Sequence, residues 1–129
     1  MTPELQVLAL AGLLQAVQFV IFSVLANKQI GAEAATGPRD TKIELKGIAG
    51  RAQRALNNHF EGLILFTIAV VVVSLGDASN ALTQSCAHIY LVARIFYVPA
   101  YLQGLAPWRS VIWMVGFGAT LTMLLAALI

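Results

Sequence analysis

The chain has 129 residues, of which 59% are hydrophobic and 11% charged, with a formal net charge of +2. Its mean hydropathy of +0.80 lies far from that of water-soluble domains, which excludes an ordinary soluble enzyme and leaves an integral membrane protein. The single cysteine, Cys86, excludes a disulfide framework within the chain and a cysteine metal cluster.

Four apolar segments of about 20 residues or more, the length that crosses ~30 Å of hydrocarbon, predict an all-α integral membrane four-helix bundle forming a single domain. The spans are expected at 4–26, 48–75, 80–102 and 107–129. The first begins Met1-Thr2-Pro3-Glu4, without the positive start of a secretory leader, and Asn27-Lys28-Gln29 offers no small-residue cleavage site. It is expected to remain as a helix, with Gln15 and Gln18, one turn apart, joining it to a neighbour.

The connection 27–47 carries Lys28, Arg39, Lys42 and Lys46, whereas the turn at 76–80 has Asp77 and no basic residue. Basic residues mark the cytoplasmic side, so the first and third connections are expected in the cytoplasm and both termini on the opposite side. No nucleic-acid partner is expected, because the positive charge is confined to membrane-flanking positions.

The second span opens with polar turns before its apolar run. Arg51, Arg54, Asn58 and Glu61 follow i, i+3, i+7, i+10 and share an arc of about 80° on a helix; Asn57 and His59 fall outside it. In the third span, Tyr90, Arg94, Tyr97 and Tyr101 share a face, and Pro99 interrupts the hydrogen-bond ladder beside it. Pro107 suits the first turn of the fourth span, where Arg109 and Trp113 lie one above the other. The short turns at 76–80 and 103–107 make the second, third and fourth helices antiparallel neighbours.

Three helices therefore aim arginines into one half of the bundle. A guanidinium at the bilayer centre costs about 2.5–3.5 kcal/mol on insertion scales, so these side chains need compensation. One glutamate does not neutralise them, and the surplus positive charge calls for an anionic ligand. Blander roles compete: snorkelling to lipid phosphates for Arg51 and Arg54, an Arg94–Glu61 structural pair, belt or packing roles for Tyr90 and Trp113, and simple packing for His59, His88 and Cys86. Because four helices enclose little volume, a site larger than an ion is expected between subunits.

Against this background, "RAQRALNNHFEGLILF" resembles the second-helix signature of the membrane-associated proteins in eicosanoid and glutathione metabolism, through Arg54-Ala55, Asn58 and Glu61. "ARIFYVPAY" is similar to the third-helix pattern of the family through Arg94, Tyr97 and Tyr101. "APWRSV" resembles the start of the fourth helix in its prostaglandin- and leukotriene-forming branch, through Arg109 and Ser110. The likeness runs from about residue 38 to the end. Leu56, Asn57 and Trp113 depart from the prostaglandin-forming pattern and argue against that reaction.

The resemblance implies a homotrimer that binds glutathione between subunits, on the cytoplasmic side of what is expected to be a bacterial inner membrane. It implies that Arg54, Asn58, Glu61, Arg94, Tyr97 and Tyr101 hold the peptide, and Arg51, on the same stripe, is expected to join them. Arginine forks suit its two carboxylates and Glu61 its ammonium. Arg109, with Ser110 beside it, would face the sulfur and favour the thiolate. The function implied is a glutathione-dependent transferase or peroxidase acting on a lipophilic small-molecule substrate drawn from membrane lipid. The alternative is a non-enzymatic lipid- or glutathione-binding scaffold; a proton-coupled exporter of cationic drugs fits less well, because its carboxylate would be crowded by arginines.

Overall fold

In the computed structural model, which describes residues 1–31, 37 and 44–129, four helices follow in order: α1 (Pro3–Ile30), α2 (Gly47–Leu75), α3 (Ala81–Leu102) and α4 (Ala106–Leu128). Each is long and apolar enough to cross a membrane. Their ends have local causes. Thr2 caps α1 by accepting from the Leu5 amide, with Pro3 in the first turn. Asn80 and Thr83 form a reciprocal capping box on α3, and Pro107 occupies the first turn of α4.

Three helices begin and end within a residue of the expected positions, but α1 continues four residues past Ala26. Its polar last turn is held by Gln29, whose side-chain amide donates to the Lys46 carbonyl and accepts from the Lys46 amide, both at 2.8 Å. Hydropathy marks the apolar run and misses a polar turn secured by hydrogen bonds. Arg39 and Lys42, two of the charges read as cytoplasmic, lie outside the described residues.

α1 packs along α2 and α3 along α4; α2 also meets α3 and α4, and among the described residues the backbones of α1 and α4 do not come close. The contacts are lined by small side chains, including Ala11, Ala69, Ala87 and Ala119, all buried. This is how membrane helices gain close van der Waals packing when lipid removes the hydrophobic drive between them. Larger groups fill the centre: Phe66, Val70, Val73 and Met123 are fully buried, and the Phe66 ring stacks on Tyr90 with centroids 3.9 Å apart.

The ends of the bundle are tied differently. At the end away from Gln29 and Lys46, the Glu4 carboxylate is completely buried. It accepts from Ser79 Oγ at 2.8 and 3.0 Å and from Thr83 Oγ1 at 3.0 Å, fastening the start of α1 to the α2–α3 turn. A carboxylate in the first turn of α1 also suits the positive end of the helix dipole. Replacing it strands the Ser79 hydroxyl without its acceptor and leaves Thr83 Oγ1 only the Asn80 carbonyl at 3.1 Å, so Glu4→Ala is expected to lower stability by about 1–3 kcal/mol, read as a fall in the unfolding midpoint of the detergent-solubilised protein.

Candidate functional site

The polar stripe of α2 faces the polar stripe of α3 and the start of α4. Between them lies an open pocket of about 600 Å³, lined by Arg54, Asn57, Asn58, Glu61, Tyr97, Tyr101, Arg109, Ser110, Trp113 and Met114. Seven of the nine side chains singled out in the sequence thus line one space. They converge because three different periodicities point at the same gap: 51–61 on α2, 90–101 on α3, and the first turn of α4.

The turn after α3 sets the position of Arg109. Gly104 takes φ 71, a left-handed conformation that costs glycine little. The Gly104 amide bonds to the Tyr101 carbonyl and the Leu105 amide to that of Ala100, both at 3.0 Å. α4 then starts immediately, and its first turn carries the Arg109 guanidinium over the Tyr101 ring at 4.5 Å. Tyr101 in turn packs edge-on against Tyr97, 5.5 Å between centroids, and Tyr97 lies under the Arg94 guanidinium at 4.3 Å. The result is a continuous alternation of guanidinium and ring, with the cations placed over aromatic faces.

Arg94 is the most deeply buried charge of the site, only 3% exposed. Its Nη1 donates to Asn58 Oδ1 at 2.9 Å, while Nε and Nη2 are buried with no hydrogen-bond partner. The expected alternative, a pairing with Glu61, is not what holds it. Arg94 instead faces a smaller inner cavity of about 160 Å³ that shares Asn58, Glu61 and Trp113 with the open pocket and reaches inward to Tyr90, Gly116 and Thr120. The Tyr90 hydroxyl is likewise buried and unpartnered.

Arg51 stands apart. Its Nε donates to the Leu102 carbonyl at 2.8 Å, and the side chain is absent from the pocket wall. A cation on a C-terminal carbonyl of α3 caps an otherwise orphaned acceptor and suits the negative end of that helix dipole. Arg54, exposed at the pocket mouth, leans back toward Gly50, where a Cβ would come within 3.3 Å of its Nη1 and 2.7 Å of the Leu45 carbonyl oxygen; glycine keeps that approach open.

Several features escape a reading by periodicity. Asn57, placed off the stripe, still lines the mouth of the pocket. Trp113, read as a belt or packing residue, borders both cavities and stacks on Phe117 at 4.9 Å. His59 is fully buried, with its Nδ1 hydrogen-bonded to Gln15 Oε1 across α1 and α2, whereas both amide atoms of buried Gln18 lack a partner. The one available signal for the His59–Gln15 pair was that each is a polar residue in an apolar span. Among the described residues no group of three His, Cys, Asp or Glu side chains is placed to hold a metal ion.

Chemically, among the described residues the pocket and the cavity behind it gather three guanidinium groups, from Arg54, Arg94 and Arg109, against the single Glu61 carboxylate. The arrangement suits a ligand that is anionic overall and also carries a cationic group. No curated protein and no solved structure matches the chain significantly. A family model described as the MAPEG family matches residues 7–129, nearly the whole chain. The four spanning helices, the pocket between α2, α3 and α4, and that match lead to one conclusion: this chain is an integral membrane protein of the MAPEG family.

Proposed function

We propose that the protein is a membrane-embedded glutathione-dependent transferase or peroxidase that acts on a lipophilic small molecule. The observation that carries this reading is the convergence of Arg54, Asn58, Glu61, Tyr97, Tyr101, Arg109 and Ser110 on one pocket of about 600 Å³, in a chain whose family is associated with glutathione. Two carboxylates and one ammonium on the tripeptide complement the arginines and Glu61. Arg54, Asn58, Glu61, Tyr97 and Tyr101 bind the peptide from the open pocket, and Arg94 reaches it from behind through the inner cavity.

Arg109 and Ser110 face the sulfur. A free thiol has a pKa of about 8.5, so a guanidinium beside it raises the thiolate fraction at neutral pH. The thiolate forms a C–S bond with an electrophilic carbon as the leaving group departs or the π bond opens. With a hydroperoxide it takes one oxygen and releases the alcohol, and a second thiol then yields the disulfide and water.

The pocket is open on one side, and Glu61, exposed at the midpoint of the 29-residue α2, cannot face hydrocarbon without cost. That open polar side supports its being covered by a neighbouring copy, in a homotrimer with glutathione held between subunits. The basic residues near the pocket support a cytoplasmic orientation, in a bacterial inner membrane.

Binding of glutathione to the purified oligomer, followed by calorimetry, tests the reading. Arg54→Ala and Glu61→Gln are each expected to weaken it by about 1.5–3 kcal/mol, the worth of a hydrogen bond to a charged group. Absence of binding by the unaltered protein overturns the proposal. Arg51→Ala is expected to lower stability by about 0.5–2 kcal/mol through loss of the helix cap, yet to leave glutathione affinity unchanged; a matching loss of affinity would return Arg51 to the ligand set.

A further inference from the structure

On the opposite side of α3 and α4 runs a second concavity, of about 630 Å³, whose floor is formed by Ala93 and Ala100 and whose walls include Phe96, Trp108 and Val111. Among the described residues no charged side chain lines it; its polar members there are His88 at one end and Gln103 at the other. We propose that this groove holds the acyl chain of a bilayer phospholipid, with the lipid headgroup at the Gln103 end.

Three observations select that occupant over a second copy of the chain. First, α4 is two-faced: positions 108, 111, 112 and 115 line the groove and 109, 110, 113 and 114 line the polar pocket, and at 100° per residue the two sets are centred about 180° apart. The polar face, with exposed Arg54 and Glu61 beside it, is the one that cannot be left to lipid. A subunit contact there turns the groove outward to the bilayer.

Second, the groove follows α3 from residue 88 to its end at residue 102, about 21 Å of helix inside a span long and apolar enough to cross the membrane, with Gln103 just past the helix end. That exceeds the ~15 Å hydrocarbon depth of one leaflet, so it accommodates an entire acyl chain. Third, the Gln103 end is also where Trp108 stands, 65% exposed. Trp is favoured at the headgroup level, where its indole N–H meets carbonyl oxygens. With only neutral donors there among the described residues, the site recognises the chain and the ester region, not an anionic headgroup.

The inference is tested by native mass spectrometry of the intact oligomer after a delipidating detergent wash, with a phosphatidylethanolamine titrated back. One phospholipid per chain is expected to bind. Ala100→Phe, which fills the floor, and Val111→Phe, which narrows the exposed wall and leaves folding undisturbed, each displace at least two methylenes and are expected to weaken binding at least ~10-fold. Val20→Phe, on an exposed face of α1, is expected to have no effect. As a second readout, Trp108 is the only tryptophan left in Trp113→Phe, and its quenching by a brominated-chain phospholipid is expected to saturate at a low lipid fraction and to lose that saturation with Val111→Phe. Undiminished binding in Val111→Phe, equal loss in Val20→Phe, or a changed subunit number in the groove variants, which would make the groove a subunit contact, overturns the proposal.

Discussion

Arg109→Gln is expected to lower turnover of glutathione with a lipophilic electrophile by about 10²–10³-fold, the usual consequence of removing one fixed group that stabilises developing or reacting negative charge. The pH profile should identify the cause. With Arg109 present, the bound thiol ionises below its free value and the rate levels off near neutrality; with the neutral amide, the midpoint of the profile should climb toward about 8.5. Glutathione affinity measured below the thiol pKa should change little, because the guanidinium acts on a charge that is then largely absent. Arg109→Lys provides the contrast. It keeps the charge but loses the planar group that rests 4.5 Å over Tyr101, so the ammonium is free to swing away and only part of the rate should survive. An unchanged pH midpoint in Arg109→Gln would assign the thiolate to another group on the wall, Arg54 being the next cation there.

How far the sequence exposes this architecture depends on the kind of force involved. The spans are written in hydropathy, and three of the four helices lie where that pattern places them. The stripe Arg54–Asn58–Glu61 and the stripe Arg94–Tyr97–Tyr101 are written in the 3.6-residue repeat, and the structure turns both toward one gap. What periodicity lacks is the third dimension. It assigns Arg51 to the same arc as Arg54, but α3 ends beside Arg51, and the orphaned Leu102 carbonyl takes the guanidinium. It leaves Asn57 outside the arc, although a side chain at the rim of an open pocket need not lie on its central line. The Glu4 clasp joins residues 75 and 79 positions apart, and nothing local in Met1-Thr2-Pro3-Glu4 announces those hydroxyl partners. Gly116 borders the inner cavity beside Tyr90, where a Cβ would reach contact distance, 3.6 Å, from the ring.

The second large effect is an asymmetry between the two partners of one hydrogen bond. Arg94 is buried, while Asn58 is only partly so, and they are joined through Arg94 Nη1 and Asn58 Oδ1 at 2.9 Å. Asn58→Leu removes that acceptor from a guanidinium whose Nε and Nη2 already lack partners. A buried charge that loses a neutral hydrogen-bond acceptor is destabilised by about 1.5–3 kcal/mol. Arg94→Met removes the charge itself and leaves an amide that water or a ligand can reach through the open pocket, so it should cost less than about 1.5 kcal/mol, as an apolar group of similar volume. The double variant Asn58→Leu/Arg94→Met should therefore be more stable than Asn58→Leu alone, a coupling of the sign expected when a second change removes the group that the first stranded. Glu61 also borders the inner cavity, so Arg94 has one charged group toward which it can turn; in a Glu61→Gln background the loss caused by Asn58→Leu should grow. None of these variants should bind glutathione as the unaltered protein does, which separates the two consequences: stability recovers in the double variant and affinity does not. If Asn58→Leu unfolds at the same denaturant concentration as the unaltered protein, then Arg94 is held by solvent or lipid phosphate, and the buried cation at the back of the pocket is not the organising charge of the site.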